Sequence, residues 1–252
     1  MSRIALITGA TAGIGEACAH KFAENGWDLI LTGRREERLQ VLADYLRTRD
    51  GVRVYTLTFD VRDRAAVAAA LAGIPEDFRP VDLLVNNAGL ALGKSPLQEG
   101  DPDDWETMID TNVKGLLYMT RALVPDMLAR QQGHIINIGS MAGREVYPGG
   151  NVYCATKHAV EALSRAMRLD FVKGGIKVTS ISPGLVETEF SVVRFKGDQG
   201  QADRVYQGFT PLYAADIAES VYWAANQPTH VCINDIFLTC TAQANSTTVH
   251  KA

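Results

Sequence analysis

Short apolar runs alternate along this chain with longer stretches whose apolar residues recur at helical spacing. Residues 3–7 (Arg-Ile-Ala-Leu-Ile) form the first run, which breaks at Gly9, and a helical pattern follows to about Asn25-Gly26. Trp27–Thr32 is a second run, followed by a charged helix from Arg35 to about Arg49. Val52–Phe59 reads as a strand, Arg62–Ala72 as an alanine-rich helix, and Val81–Val85 as a strand ending in Asn86-Asn87-Ala88-Gly89. The spacing then predicts a long helix from about Asp103 to Arg130 and a strand over His134–Ile138. A helix over Asn151–Val172 follows, then a strand over Lys177–Ile181 that runs into Pro183-Gly184. Continuous apolar strands alternating with amphipathic helices indicate α/β architecture, a doubly wound parallel sheet with helices on both faces.

No Pro/Gly/Ser-rich linker or compositional break divides residues 1–252, so one domain is expected. The alternation is interrupted only at about 185–211, where polar and aromatic residues surround Gly197 and Gly200 before an Ala214–Ala225 helix resumes it. An insertion of that length in a compact domain reads as a lid or binding loop. The tail from Ile236 to Ala252 starts as a strand and ends polar, either frayed or docked on another subunit.

Composition narrows the classes. With 46% hydrophobic residues over 252 positions the chain can bury a large core, and its net charge of −4 argues against a nucleic-acid binder. Any anionic ligand must then be caught by local positive charge. Cys18, Cys154, Cys232 and Cys240 have no metal-ligand spacing and read as buried free thiols suited to a reducing compartment. The first residues hold too short an apolar run for a signal peptide, and no stretch approaches the ~20 apolar residues of a membrane span. A cytoplasmic protein without membrane contact is expected. The five histidines are scattered, so structural or surface roles are expected and no metal is called for; Glu161 and Glu219 read as solvated helix faces.

Thr8-Gly9-Ala10-Thr11-Ala12-Gly13-Ile14-Gly15 lies between the first strand and the first helix. Glycines there allow a tight turn and close backbone approach to a pyrophosphate, which a helix N-terminus stabilises, as in a Rossmann-type dinucleotide fold. In such a fold the end of the second strand meets the adenosine ribose, where an acid selects NAD and an arginine accommodates the 2′-phosphate of NADP. Here it ends Thr32-Gly33-Arg34-Arg35, with no carboxylate before Glu36. Basic residues oppose the dipole at a helix start, so Arg34 and Arg35 want a reason to be there, and NADP(H) is the expected cofactor. Asp60-Val61 and Asn87-Ala88-Gly89 fall at further strand ends, where ligands bind in this architecture, although Asp, Asn and Gly are also common in turns.

Tyr153 and Lys157 are four apart on a predicted helix and share a face. A neighbouring ammonium favours the phenolate and can tune the phenol for acid/base work. Ser140 follows the His134–Ile138 strand, from whose end its hydroxyl can bond a substrate oxygen. Asn112 sits inside the Asp103–Arg130 pattern, an unfavourable place for Asn that invites explanation.

Thr8-Gly9-x-x-x-Gly13-x-Gly15, Asn86-Asn87-Ala88-Gly89, Asn112, Ser140, Tyr153-x-x-x-Lys157 and Pro183-Gly184-x-x-x-Thr188 occur in that order. Together they resemble the short-chain dehydrogenase/reductase family over essentially the whole chain. The resemblance implies an oxidoreductase acting on CH–OH groups, with Tyr153 as general acid/base and Ser140 on the substrate oxygen. It implies that Lys157 also holds the nicotinamide ribose, and that the helix is distorted at Asn112 so that a water relays protons to Lys157. It places Gly9, Thr11, Gly13, Ile14, Gly15, Pro183, Gly184, Val186 and Thr188 on the cofactor, with Thr188 at the nicotinamide carboxamide. It also implies subunit pairing through the Asp103–Arg130 and Asn151–Val172 helices in a homotetramer or dimer. Leu116, Leu117, Met119, Ala155, Ala159, Ala162 and Ala166 are the apolar and small residues there beyond one core face.

Two stretches bear on the substrate. Gly143-Arg144-Glu-Val-Tyr147-Pro and Gly184-Leu-Val-Glu-Thr-Glu-Phe-Ser-Val-Val-Arg194-Phe are similar to those of NADP-dependent 3-hydroxy acid dehydrogenases, whose substrates are serine, allo-threonine and 3-hydroxypropionate types. Sulfoacetaldehyde reductases are similar to the same group. Arg144 or Arg194, with Tyr147, is expected to clamp a small anionic substrate through a guanidinium fork. Alternatively Arg144, Arg194 and Lys196 are surface charges paired with Glu145, Glu189 or Asp198. A non-catalytic nucleotide-binding protein on this fold would be expected to have lost part of the Asn112–Ser140–Tyr153–Lys157 set, which is complete.

Overall fold

A computed structural model describes residues 2–252. The first strand, β1 (Ile4–Thr8), is buried along its whole length, as a central parallel strand must be. Around it β2 (Asp28–Gly33), β3 (Val54–Thr58), β4 (Leu83–Asn86), β5 (His134–Ile138), β6 (Lys177–Pro183) and β9 (Asp235–Leu238) form one sheet. All pairings are parallel and the order is β3-β2-β1-β4-β5-β6-β9. A two-stranded ladder of β7 (Val186–Glu187) and β8 (Leu212–Tyr213) lies outside it.

One face is covered by α1 (Gly13–Glu24), α2 (Glu36–Asp50) and α9 (Ala214–Ala225), which bury Phe22, Leu39, Leu46 and Val221 against alternate residues of the strands. The other is covered by α3 (Arg64–Ala72), α5 (Leu116–Arg130) and α6 (Asn151–Phe171), packing Val67, Met119, Met127 and Val160 against Leu6, Leu84 and Ile135. The expected single doubly wound sheet is thus observed. The chain winds outward in both directions from β1 and β4, and a crevice opens at that switch point beyond the strands' carboxyl ends.

The long helix expected from Asp103 to Arg130 is interrupted. Regular α4 (Pro102–Ile109) gives way to a π-helical turn over Asp110–Gly115 before α5 begins. Asn112 is in the widened turn, buried, and its side chain ties that turn to neighbouring elements: Nδ2 donates to the Leu90 carbonyl at 2.8 Å and to Thr156 Oγ1 at 3.0 Å, while Oδ1 accepts from Leu90 N at 2.9 Å. The distortion expected at Asn112 is present.

The 185–211 insertion is ordered. It holds β7, α7 (Phe190–Arg194) and α8 (Gln199–Tyr206), tied together where Ser191 Oγ and Tyr206 Oη lie 2.7 Å apart. The tail is not frayed: it folds back on its own chain. Ala252 N donates to the Gly208 carbonyl at 2.8 Å, and Ser246 N donates to Glu145 Oε2 at 2.8 Å. All four cysteines are free, but Cys232 is exposed rather than buried. No helix among the described residues is long and apolar enough to cross a membrane.

Candidate active site

The crevice is a cavity of about 460 Å³. At one end, α1 follows Ala12, whose methyl cannot cap the helix, so its first amide groups remain available to a ligand. Gly13 and Ile14 from that turn line the cavity with Gly9 and Thr11. Gly9 (φ 66°) and Gly13 (φ 56°) have left-handed backbone that favours glycine. Gly15 does not line the cavity. A Cβ there would lie 2.4 Å from the Gly9 carbonyl oxygen, so its part is to let α1 close onto the turn. Asn87 braces the same turn from β4, its Nδ2 donating to the Thr8 carbonyl at 2.8 Å. An uncapped helix start behind a glycine turn fits a pyrophosphate.

Arg34 and Arg35 both reach this end of the cavity. Arg35 Nε and Nη2 donate to Thr11 Oγ1 at 3.0 and 2.8 Å, and its Nη1 donates to Glu189 at 2.9 Å, which also takes a bond from Arg38. Arg34 lies 3.7 Å from Asp60, whose firmer partner is Arg62 at 2.7 Å. These are exposed pairs, each worth only about 0–1 kcal/mol, so neither withholds its arginine from a phosphate dianion. Asp60, Val61, Ala88, Gly89, Pro183, Gly184, Val186 and Thr188 all line the same cavity.

At the other end Ser140, Tyr153 and Lys157 come together. Ser140 caps the turn that follows β5, its Oγ accepting from Ala142 N at 3.1 Å. Tyr153 is buried, and burial, with Tyr147 adding to it, pushes its phenol above the ordinary value; the Ser140 hydroxyl and the Arg194 charge pull it back. The Arg194 guanidinium is thus a second cation near this phenol, besides the Lys157 ammonium expected to tune it. The Lys157 Nζ donates to the Ile138 carbonyl at 2.8 Å, and burial brings the ammonium down to about 8. The phenol is therefore held as a proton donor beside a buried cation.

Arg194 reaches in from α7. Its Nη1 donates to Tyr147 Oη at 2.8 Å and its Nε to the Gly93 carbonyl at 3.1 Å, while its guanidinium carbon lies 5.7 Å from the centre of the Tyr153 ring. The Nη2 is buried without a partner. A buried, unpaired N–H of a cation is costly and marks a place for an anion. Arg144, the other arginine expected at the substrate, is not brought there. It turns away to pair with Asp235 at 3.4 Å and to cover the Phe237 ring, because the 141–143 turn directs the chain outward at that position. Lys196 pairs with Asp101 and Asp104 rather than with Asp198.

Three contributors escaped the sequence reading. Gln243 and Ser246 of the tail line the cavity; Gln243 Oε1 accepts from Leu185 N at 2.8 Å. Nothing local in a polar tail marks a residue that docks a hundred positions away. Glu161, expected on a solvated face, is only 3% exposed, with Ser180 Oγ and Ser182 Oγ both donating to its Oε1. Its helix face points at β6, which alternation of Ser180 and Ser182 with apolar residues signals only in retrospect. No group of three metal-ligating side chains occurs among the described residues.

A seven-stranded parallel sheet with a glycine turn at one end of its crevice and a Ser–Tyr–Lys cluster at the other defines a nucleotide-dependent oxidoreductase. A profile of the short chain dehydrogenase family matches residues 3–199, and the chain belongs to that family. Among its relatives, the NADP-dependent 3-hydroxy acid dehydrogenase of Salmonella typhi is 54% identical over 234 residues, 92% of this chain and 93% of that one. Sulfoacetaldehyde reductase 2 of Chromohalobacter salexigens is 49% identical over 245 residues, 97% of this chain and 96% of that one. Among solved structures, the closed form of a serine dehydrogenase complexed with NADP+ superposes with a TM-score of 0.93 at 49% identity, covering 99% of this chain and all (100%) of that one.

Proposed function

We propose that this protein interconverts a small 3-hydroxy acid of the serine, allo-threonine or 3-hydroxypropionate type and its carbonyl form, using NADP(H). The observation that carries this reading is the buried, unpartnered Nη2 of Arg194 beside the Tyr153 ring. It offers a carboxylate a charge-assisted bond at a distance from the phenol that suits a compact substrate. NADP(H) binding is supported by the uncapped start of α1 and by Arg34 and Arg35 at the adenosine end of the cavity.

When bound, the nicotinamide supplies the hydride chemistry. The chain supplies the rest. Ser140 and Tyr153 take the substrate oxygen between them, and Tyr153 gives its Oη proton to that oxygen in reduction and recovers it in oxidation. Lys157 would hold the nicotinamide ribose and keeps a positive charge toward the phenol. The Asn112 amide is committed to Leu90 and Thr156, so a water relay toward Lys157 would use the backbone of the widened turn. Phe190, tilted at 5.6 Å from the Tyr153 ring, and Tyr147 keep bulk water from the phenol. Thr188, at the head of α7, accepts from Phe190 N at 3.2 Å and sets the lid at the carboxamide end.

A second reading rests on the same arginine: a guanidinium binds a sulfonate as well as a carboxylate, so sulfoacetaldehyde is the competing substrate. We also read the exposed face of Ala155, Ala162 and Ala166 on α6, with Leu117 on α5, as the pairing surface of a dimer or homotetramer. Leu116 and Met119, expected to share it, are spent in the protomer's own core. The deciding experiment is an activity panel with NADP across serine, allo-threonine, 3-hydroxypropionate, 3-hydroxyisobutyrate and isethionate. A 3-hydroxy acid at the head of the panel is expected; isethionate at the head transfers the assignment to the sulfonate, and no turnover of any refutes both.

A further inference from the structure

Behind the catalytic cluster lies a second charged group that hydride transfer does not by itself require. Lys157 is 6% exposed and its recorded bond is to a neutral acceptor, the Ile138 carbonyl. No carboxylate among the described residues comes within ion-pair distance of its Nζ. A buried ammonium without counter-charge is strongly disfavoured. Glu161 is one helical turn further along α6, where side chains four apart share a face with Cβ atoms roughly 5–6 Å apart. It is buried, its Oε1 is held by Ser180 and Ser182, and its Oε2 has no partner.

The space for it is made by two glycines that bracket the catalytic serine. A Cβ at Gly139 would lie 2.7 Å from Glu161 Oε1, and one at Gly143 would lie 3.0 Å from Glu161 Cγ and 2.7 Å from the Lys157 carbonyl oxygen. The Gly139–Gly143 segment, with Ser140 inside it, therefore rests directly on the Lys157–Glu161 turn.

We propose that Glu161 is the counter-charge of Lys157, a positioning residue that holds the ammonium charged and in place behind Ser140 and Tyr153. The inference rests on the reading of Tyr153 and Lys157 as hydride-transfer machinery. The surroundings leave Glu161 without a rival for this part. From β5 the only titratable side chain is His134, at the opposite end of the strand and bonded to Thr179; from β6 the neighbours are Ser180 and Ser182, with Lys177 at the far end. In the π-turn Asp110 and Lys114 pair with each other at 2.7 Å, and beyond the 141–143 turn Arg144 pairs with Asp235. On α6 itself the neighbours are Tyr153, Cys154, His158 and Arg165, none of them a carboxylate; His158 and Arg165 are exposed, and from α7 Arg194 acts on the Tyr153 phenol. Burial lowers Lys157 and Glu161 raises it, which agrees with the geometry.

Glu161→Gln tests this, because an amide oxygen still accepts from both serines while the charge is gone. An ammonium is lost as pH rises through its pKa, so removing the counter-charge moves that loss to lower pH. The descending limb of kcat/KM against pH, scaled to each enzyme's own plateau, is expected about one pH unit lower in Glu161→Gln, the size typical of a nearby opposite charge. Glu161→Asp is expected to bring the limb back. A limb that stays in place with a uniform loss of rate makes Glu161 mere packing and overturns the proposal. A readout independent of turnover is the melting temperature in a Lys157→Met background, where Glu161 is left unpaired. There the added Glu161→Gln should raise the melting temperature although it lowers that of the wild type; equal lowering in both refutes the pairing, and this arm stands if Glu161→Gln alone folds poorly. If Tyr153→Phe keeps its turnover, the hydride-transfer reading fails. If that variant is dead but the Glu161→Gln limb is unmoved, only this inference fails.

Discussion

Arg194→Met is the perturbation that most sharply tests what the cavity is for. Methionine keeps the apolar stem and removes the fork. Three bonds are affected: those to Gly93 and Tyr147, which hold α7 against the 91–95 segment and the loop before α6, and the one that Nη2 offers to the substrate. A hydrogen bond to a charged group contributes about 1.5–3 kcal/mol net, and about 1.4 kcal/mol is a factor of ten, so the anion contact alone accounts for about 10- to 150-fold in kcat/KM. Loss of the lid contacts, and of the cation that lowers the Tyr153 phenol, falls equally on any substrate. The assay is therefore a ratio: kcat/KM for a 3-hydroxy acid over that for its methyl ester, in wild type and variant. The wild-type ratio is expected to fall by about 10- to 150-fold in Arg194→Met and to recover in part in Arg194→Lys, which restores charge without the fork. An equal loss on acid and ester would show that Arg194 serves the lid and not the substrate anion.

Two further outcomes follow from other parts of the molecule. In an Arg34→Ala/Arg35→Ala variant the NADP-over-NAD preference is expected to collapse by tenfold or more while NAD turnover changes little; a preserved preference, read from kcat/KM for each cofactor, would place 2′-phosphate recognition elsewhere. Burial, with Lys177 adding to it, lowers His134 to about 3, against about 6.5 in an unfolded chain. Its contribution is complete above pH 6.5 and drains as pH falls toward 3, by about 1.4 kcal/mol per unit. His134→Gln should flatten the acid limb of a urea-midpoint profile between pH 6 and 4, and an acid limb parallel to that of the wild type would contradict this.

Much of this fold could be read from the chain because its signals are local. Apolar runs bounded by glycine placed β1, β2 and β5 within a residue or so, and a spacing of four put Tyr153 and Lys157 on one face before any coordinates. The choice between Arg144 and Arg194 was not legible. Both lie near the site in sequence, and which one enters depends on where the 141–143 turn and α7 aim their side chains. Glu161 was hidden for a related reason. Its burial is decided by β6, an element with no periodic link to α6, and a charged residue on an amphipathic helix defaults to solvent. Gln243 and Ser246 depend on the tail folding back over the cavity, a long-range event with no local mark. The π-turn was legible only through the family resemblance at Asn112; the helical pattern alone marked that residue as unfavourable and did not specify a distortion.

The claim on which the rest depends is that Tyr153 moves the proton, and Tyr153→Phe tests it most directly when chemistry and binding are read on the same sample. Phenylalanine fills the same buried space against Phe190 and removes only the hydroxyl. The account predicts that single-turnover oxidation of NADPH by the preferred carbonyl substrate falls by several orders of magnitude while NADPH titrates with near wild-type affinity. Turnover within tenfold of wild type, with binding intact, would contradict it.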